Sequence, residues 1–207
     1  MSGLTIYGIP TSRAMRSVWM AEELHQEIGL EYKNIPTHFI DESKEPEYLA
    51  INPNGRVPAM DDDGLILFES LAINLYLAKK HAGSALSPRD IEEEAKTTQW
   101  SFWAITELEP NIIALVVRHP KIAMAPPNQE IEDGARDALE RPLKVLDAHL
   151  ADRDWLIADR FTVADLNVSA VMSLSKFIDL DFSNYPNVQD WFGRCLARPA
   201  YAAVQNK

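Results

Sequence analysis

The chain has 207 residues, of which 46% are hydrophobic, and it carries a formal net charge of −11. This hydrophobic fraction is typical of a folded globular protein, and the length allows one large domain or two small ones. The acidic balance argues against nonspecific binding to nucleic acid or to anionic lipid. Cys195 is the one cysteine, which excludes an internal disulfide and any two-cysteine redox or zinc motif, and we expect it to be buried or structural.

The sequence predicts a protein of the cytoplasm. The N-terminal stretch MSGLTIYGIP lacks the basic and apolar segments of a signal peptide. No apolar run approaches the roughly 18 to 20 residues that a membrane-spanning helix needs. The five histidines show no metal-ligand pairing, so we expect no metal site.

The first 82 residues alternate short strands with helices. The pattern predicts strands over 4–8, 31–36 and the hairpin VPAMD–LILF around the turn DDDG, helices over 13–28 and 69–82, and a helical turn near 46–51. This order indicates a mixed four-stranded sheet flanked by helices, which is an α/β arrangement.

Helical periodicity dominates beyond residue 90, where no strand is evident. Residues 91–150 are predicted to be helical apart from a loop at 118–129, and further helices are predicted over 162–179 and 187–197. We therefore predict an α/β domain over 1–81, a linker over 82–90 and an all-α domain over 91–207.

The stretch IPTSRAMR, residues 9–16, places two hydroxyls and two arginines where a helix is predicted to begin. Ser12 has the residue type and place of an N-cap. Arg13 and Arg16 are unusual there, because cations oppose the positive end of the helix macrodipole. They either raise the positive potential for a bound anion or pair with acidic groups elsewhere, and we favour pairing for Arg16.

Residues 52–58, NPNGRVP, form a tight turn followed by the start of a strand. A cis Val57–Pro58 bond would turn the N–H and C=O of Val57 outward, where an extended peptide could pair with them. The spacing alone favours an ordinary trans bond, because cis bonds are only about 5–6% of X-Pro bonds.

Four stretches of the sequence are distinctive: YGIPTSRAMR, SKEPEYLAINPNGRVP, the hairpin ending in FES, and FTVADLNV. Together they resemble the glutathione transferase superfamily, and the resemblance covers nearly the whole chain. The resemblance implies a thioredoxin-like N-terminal domain, an all-helical C-terminal domain, a homodimer and a cis Val57–Pro58 bond. It also implies a serine-type enzyme that binds glutathione without a metal and joins its thiolate to a small hydrophobic electrophile. Alternatives on the same fold are a noncatalytic glutathione-binding or interaction module, or a glutathione-dependent isomerase, dehalogenase or peroxidase.

The same resemblance implies the roles of individual residues. A hydroxyl would donate to the glutathione sulfur. Ser12 matches the theta and delta position and is favoured, whereas Thr11 matches the phi and zeta position. The other implied glutathione contacts are Lys44 and Arg56 to the glycyl carboxylate, the Val57 backbone beside Pro58, and Glu69 and Ser70 at a helix N-terminus. The family histidine before Lys44 is replaced by Ser43, which puts one carboxylate contact in doubt.

The second domain contributes aromatic and aliphatic candidates. The resemblance implies that Trp100, Trp103, Leu108 and Ile112 line the electrophile pocket, whereas core packing is the ordinary role of large aromatic residues. Residues 162–165, TVAD, resemble a capping box with Phe161 and Leu166 as its hydrophobic staple, which is a folding signal.

Overall fold

A computed structural model describes residues 3–178 and 180–206. The chain divides into two compact units, one formed by residues 3–89 together with 197–206, and the other by residues 90–196. In the described residues, no helix is both long enough and apolar enough to cross a membrane.

The first unit contains a four-stranded sheet with helices. Its elements are β1 (Thr5–Tyr7), α1 (Met15–Ile28), β2 (Lys33–Ile35), a 3₁₀ turn (Glu42–Lys44), α2 (Pro46–Leu49), β3 (Ala59–Asp62), β4 (Leu65–Phe68), α3 (Ser70–Lys80) and α9 (Pro199–Gln205). The strand order is β2-β1-β3-β4, with β1 parallel to β2 and antiparallel to β3, and β3 antiparallel to β4. This is the predicted mixed sheet of a thioredoxin-like domain.

The register of the sheet brings three strand ends together. Tyr7 pairs with Ile35 and with Ala59, and Ala59 pairs with Phe68. The residues that follow Tyr7, precede Ala59 and follow Phe68 therefore emerge at the same end of the sheet. This end receives the segments that the sequence singled out.

Helix α1 begins later than the sequence predicts. Its first residue is Met15, and its N-cap is Ala14, which has helical backbone angles and no side-chain cap. Ser12 does not occupy the predicted N-cap position, but its hydroxyl accepts from the Ala14 N–H at 3.1 Å and so caps the turn that leads into the helix. The helix ends at Gly29, whose left-handed φ of 73° suits a residue without Cβ.

The C-terminal helix was missed by the sequence analysis, which assigned residues up to 207 to the helical domain. Helix α9 packs on α1 in the first unit. Arg198, just before α9, binds both carboxylate oxygens of Glu23 at 2.7 Å. Trp19 lies against the ring of Tyr201, with centroids 4.8 Å apart. A seven-residue helix carries too short a periodic pattern to reveal which unit it joins.

The second unit is all helical in its described part. Its elements are α4 (Ile91–Trp103), a π turn (Ala104–Leu108), α5 (Glu109–Val116), α6 (Gln129–Leu150), α7 (Val163–Met172), a 3₁₀ segment (Ser173–Ile178) and α8 (Pro186–Leu196). The π turn precedes Pro110, which has no N–H for the carbonyl of Thr106 and crowds that carbonyl with its ring.

The predicted capping box is present at the start of α7, where the side chains of Thr162 and Asp165 bond each other's backbone. Asp165 does more than cap. One of its buried carboxylate oxygens accepts from Leu156 N at 2.8 Å and from Trp191 Nε1 at 2.9 Å. The other accepts from the N–H and hydroxyl of Thr162 at 3.0 and 3.1 Å. Asp165 thus joins α7 to α8 and to the preceding loop.

We predict that Asp165→Ala lowers the free energy of unfolding by about 3 kcal/mol or more, because each stranded buried donor costs about 1–3 kcal/mol. Urea denaturation followed by circular dichroism measures the change. Asp137→Ala, an exposed change on α6, is the control and should alter stability by less than about 0.5 kcal/mol. Equal stability of the two variants would show that Asp165 is not a structural hub.

Candidate functional site

The turn that leads into α1 carries two hydroxyls that differ in their hydrogen bonding. The Ser12 hydroxyl donates to the Ile9 carbonyl at 2.7 Å and accepts from the Ala14 N–H at 3.1 Å. The Thr11 side chain is exposed, and no hydrogen bond to its hydroxyl occurs within the described part of the chain. Ser12 therefore shapes the turn, whereas Thr11 keeps its proton available.

Close packing at Gly8 holds this turn against the loop before β3. Gly8 has a φ of 134°, and a Cβ on it would lie 2.4 Å from the Ala14 Cβ and 3.1 Å from the Val57 Cβ. Ala14, Val57 and Ala59 belong to one buried cluster with Tyr48. The absence of a side chain at Gly8 thus lets residues 11–14 and Val57 meet at the end of the sheet.

The Val57–Pro58 peptide bond is cis, which confirms the implication of the family resemblance. Both residues are buried. Among the residues that the structure describes, none bonds the backbone N–H or C=O of Val57. These two groups are therefore available to a peptide-like ligand in extended conformation.

The loop before Val57 is fixed by its own hydrogen bonds. The carbonyl of Arg56 accepts from the Tyr48 hydroxyl and from Asn52 Nδ2, both at 2.7 Å. Burial raises the pKa of Tyr48 to about 12, so this hydroxyl stays protonated as a donor. The side chain of Arg56 is exposed, and the Lys44 ammonium bonds the Gly55 carbonyl. Lys44 and Arg56 thus place two cations on one loop surface.

The start of α3 combines a strained residue with a buried hydroxyl. Glu69 is exposed and has φ 72° and ψ 108°, a conformation that costs a non-glycine residue about 1–3 kcal/mol. Ser70 is 6% exposed, and its hydroxyl accepts from Arg16 Nη1 at 3.3 Å. The hydrogen bond from Arg16 to Ser70 was missed by the sequence analysis, and the pairing of Arg16 with acidic groups stays a prediction. A polar residue on the buried face of α1 was the available signal.

The residues predicted for an electrophile pocket lie in the second unit, and packing accounts for three of them. Trp100, Leu108 and Ile112 are buried, and Trp103 is half-buried. The Trp100 ring contacts the rings of Trp103 and His149, with centroid distances of 4.9 and 4.8 Å. Trp103 is thus the member of the set with a surface to offer a small molecule.

Family models match both units. Residues 2–79 match the glutathione S-transferase N-terminal domain, and residues 108–199 match the glutathione S-transferase C-terminal domain. The chain belongs to the glutathione S-transferase family. Glutathione S-transferase 3 of Zea mays is 33% identical over 210 residues, which covers 97% of this chain and 92% of the maize protein.

Other members of the family differ in what their names record. Elongation factor 1-gamma of Equus caballus is 28% identical over 99% of this chain, which covers 46% of that protein. A glutathione transferase family member from Pseudomonas fluorescens, solved with two glutathione bound, is 27% identical with a TM-score of 0.86. That alignment covers 98% of this chain and 92% of the other.

In the described residues, no group of three or more His, Cys, Asp or Glu side chains is arranged to hold a metal ion. The donors gathered at the end of the sheet are hydroxyls, backbone groups and cations. Donors of this kind suit an anionic ligand with an extended peptide backbone.

We predict that Glu69→Gly stabilises the first unit by about 1 kcal/mol, because relief of the strained backbone exceeds the entropic cost of glycine. Thermal and urea unfolding of the purified variant measure it. Asp63→Gly is the matched control for the free energy of unfolding. Asp63, at the tip of the β3–β4 hairpin, also has a positive φ, of 53°, but this is an ordinary left-handed angle for aspartate. A less stable Glu69→Gly protein would contradict the strain.

Proposed function

We propose that this chain is a glutathione transferase that binds glutathione at the end of the sheet formed by Tyr7, Ala59 and Phe68. The observation that carries the proposal is the convergence of three segments there. These are the hydroxyl-bearing turn at 11–14, the unbonded backbone of Val57, and the start of α3 at Glu69–Ser70. The glutathione-bound structure of the Pseudomonas family member supports the same ligand.

Each segment suits one part of the tripeptide. Ser70 and the N–H groups of α3 would bind the carboxylate of the γ-glutamyl group, and the Glu69 carboxylate would accept from its ammonium. The N–H and C=O of Val57, beside Pro58, would pair with the cysteinyl backbone. Lys44 and Arg56 would attract the glycyl carboxylate. The exposed turn at Thr11 would then face the thiol.

A free thiol titrates near pH 8.5, so catalysis at neutral pH requires stabilisation of the thiolate. A hydroxyl that donates to a charged atom contributes about 1.5–3 kcal/mol, which lowers the thiol pKa by about one to two units. The sequence favoured Ser12 for this donor. We assign it to Thr11, because the proton of Ser12 is already held by the Ile9 carbonyl.

The thiolate would attack a small hydrophobic electrophile and form a carbon–sulfur bond as the leaving group departs. The half-buried Trp103 is the side chain of the second unit that we propose for electrophile contact, with the buried Trp100, Leu108 and Ile112 supporting it from the core. Because reduced glutathione is the reacting form, the reducing cytoplasm is the proposed site of action.

We predict that Thr11→Ala raises the pKa of bound glutathione by about one to two units, and that Thr11→Ser restores it. The thiolate absorbs in the ultraviolet, so difference spectra of the complex across a pH series measure the pKa directly. Turnover with an aryl halide should fall about 10- to 100-fold in Thr11→Ala at neutral pH.

Ser12→Ala is the comparison variant in the same titration. It should leave the pKa of bound glutathione within about half a unit and instead reduce stability by about 1 kcal/mol through the loss of its turn. A raised pKa in Ser12→Ala together with an unchanged one in Thr11→Ala would return the assignment to Ser12.

A noncatalytic glutathione-binding or interaction module is the second candidate. It is favoured by the similarity to elongation factor 1-gamma, whose name is not that of a transferase. The two functions separate in the wild-type titration. A module of this kind binds glutathione with the thiol pKa near 8.5 and shows no turnover across electrophile classes.

We also propose a homodimer, because each unit exposes an apolar face. On the edge strand β4, Leu65, Ile66 and Phe68 are exposed. On the second unit, Ile91 and Phe102 are exposed 11 residues apart on α4, a spacing that places them on one helix face, and Ile105 is exposed in the π turn that follows. Apolar faces of this kind mark protein interfaces.

We predict that Phe102→Glu shifts the protein from dimer to monomer, since a charge would be buried at the interface. Light scattering coupled to size exclusion measures the mass. Met124→Glu is the matched control, because Met124 is 59% exposed and Phe102 is 66% exposed. Wild-type protein that elutes as a monomer at micromolar concentration would contradict the proposed dimer.

A further inference from the structure

A buried polar cluster ties the first turn of α1 to the first two turns of α3. Arg16 Nη1 donates to Ser70 Oγ, Ser17 Oγ donates to the Ser70 carbonyl, and Asn74 Nδ2 donates to the Arg16 carbonyl, each at 3.3 Å. Arg16, Ser17 and Asn74 are at most 1% exposed. Arginine is rarely buried to this degree, so the cluster calls for a functional as well as a packing explanation.

The Ser70 hydroxyl has one proton, and the cluster determines where it can point. The oxygen accepts from a guanidinium, which has no lone pair to accept in return. Among residues 3–178 and 180–206, none accepts a hydrogen bond from the Ser70 hydroxyl, whose one recorded bond is the one it accepts from Arg16. Ser70, a residue that is 6% exposed, therefore keeps an unused hydroxyl donor at the start of an 11-residue helix.

We infer that Arg16 is a positioning residue for the γ-glutamyl carboxylate, an inference that rests on the proposed glutathione site. Because Arg16 donates to the Ser70 oxygen, the Ser70 hydroxyl proton points away from Arg16 and can be donated to the ligand. Its guanidinium also places a buried positive charge directly behind that hydroxyl. Both effects favour an anion over a neutral group of the same shape.

The buried charge of Arg16 matters for ligand binding because the chain as a whole is acidic. The formal net charge is −11, so the long-range field of the protein opposes an anionic ligand. A charge held in the protein interior is screened by salt much less than an exposed one. Arg16 can therefore act on the carboxylate at physiological ionic strength, where the exposed Lys44 and Arg56 act mainly on groups in direct contact with them.

Ser17 provides a matched control within the same cluster. It is as buried as Arg16 and bonds the same residue at the same distance, but it is neutral and bonds the Ser70 carbonyl instead of the hydroxyl. A purely structural role of the cluster would be weakened by either substitution. A role in carboxylate recognition belongs to Arg16 alone.

The experiment compares two ligands by isothermal titration calorimetry: glutathione, and its analogue with the γ-glutamyl carboxylate converted to a carboxamide. Wild-type protein should prefer glutathione. Arg16→Met should reduce that preference about 10- to 100-fold, Arg16→Lys should recover part of it, and Ser17→Ala should keep the wild-type preference. The ratio of the two affinities cancels any loss of folded protein.

An Arg16→Met protein that folds and retains the wild-type preference overturns the inference, and so does an equal loss in Ser17→Ala. If Arg16→Met does not fold, Arg16→Lys and Ser70→Ala decide. Reduced preference in both supports the inference, and wild-type preference in either overturns it. If the wild-type protein binds neither ligand, the proposed function is overturned as well. If it binds glutathione and lowers the pKa of the thiol, but Arg16→Met keeps the wild-type preference for glutathione over the carboxamide, this inference alone is overturned.

Discussion

The pairing of Tyr7, Ala59 and Phe68 across three strands is the constraint on which the first unit depends. A shift of one residue in either pairing would move every side chain of a strand to the opposite face of the sheet. It would also separate the turn at 11–14 from Val57 and from Ser70. The candidate site is therefore a product of strand register, because no single segment holds more than one part of it.

Close approach of backbones maintains that register at the site itself. Gly8 has no side chain, and its place beside Ala14 and Val57 admits none. The loop behind Val57 is held by neutral donors on the Arg56 carbonyl. Rigid surroundings of this kind keep the exposed hydroxyl and backbone groups in place before a ligand arrives, which lowers the entropic cost of binding.

The sequence predicted the architecture well where its signals were local. The strands, the hairpin around Asp63–Gly64, the helix after FES and the capping box at Thr162 each have a short pattern with a physical cause. The prediction of a cis bond at Val57–Pro58 came from the family resemblance, since the residues alone favoured trans.

The features that the sequence did not predict depend on contacts between residues that are distant in sequence. Arg16 bonds Ser70, which is 54 residues away in sequence, and Arg198 bonds Glu23, which is 175 residues away. No local hydrophobic pattern predicts either contact. The proposal of Thr11 rather than Ser12 as the donor likewise rests on the hydrogen bond from Ser12 to Ile9.

The return of the C-terminal segment to α1 makes the first unit discontinuous along the chain. The ion pair of Arg198 with Glu23 and the contact of Tyr201 with Trp19 can form only after residues 198–205 have been synthesised. During translation, the surface of α1 that α9 covers stays open until those residues leave the ribosome. The first unit, although it begins first in the sequence, is thus completed only after residues 90–196 of the second unit have been made.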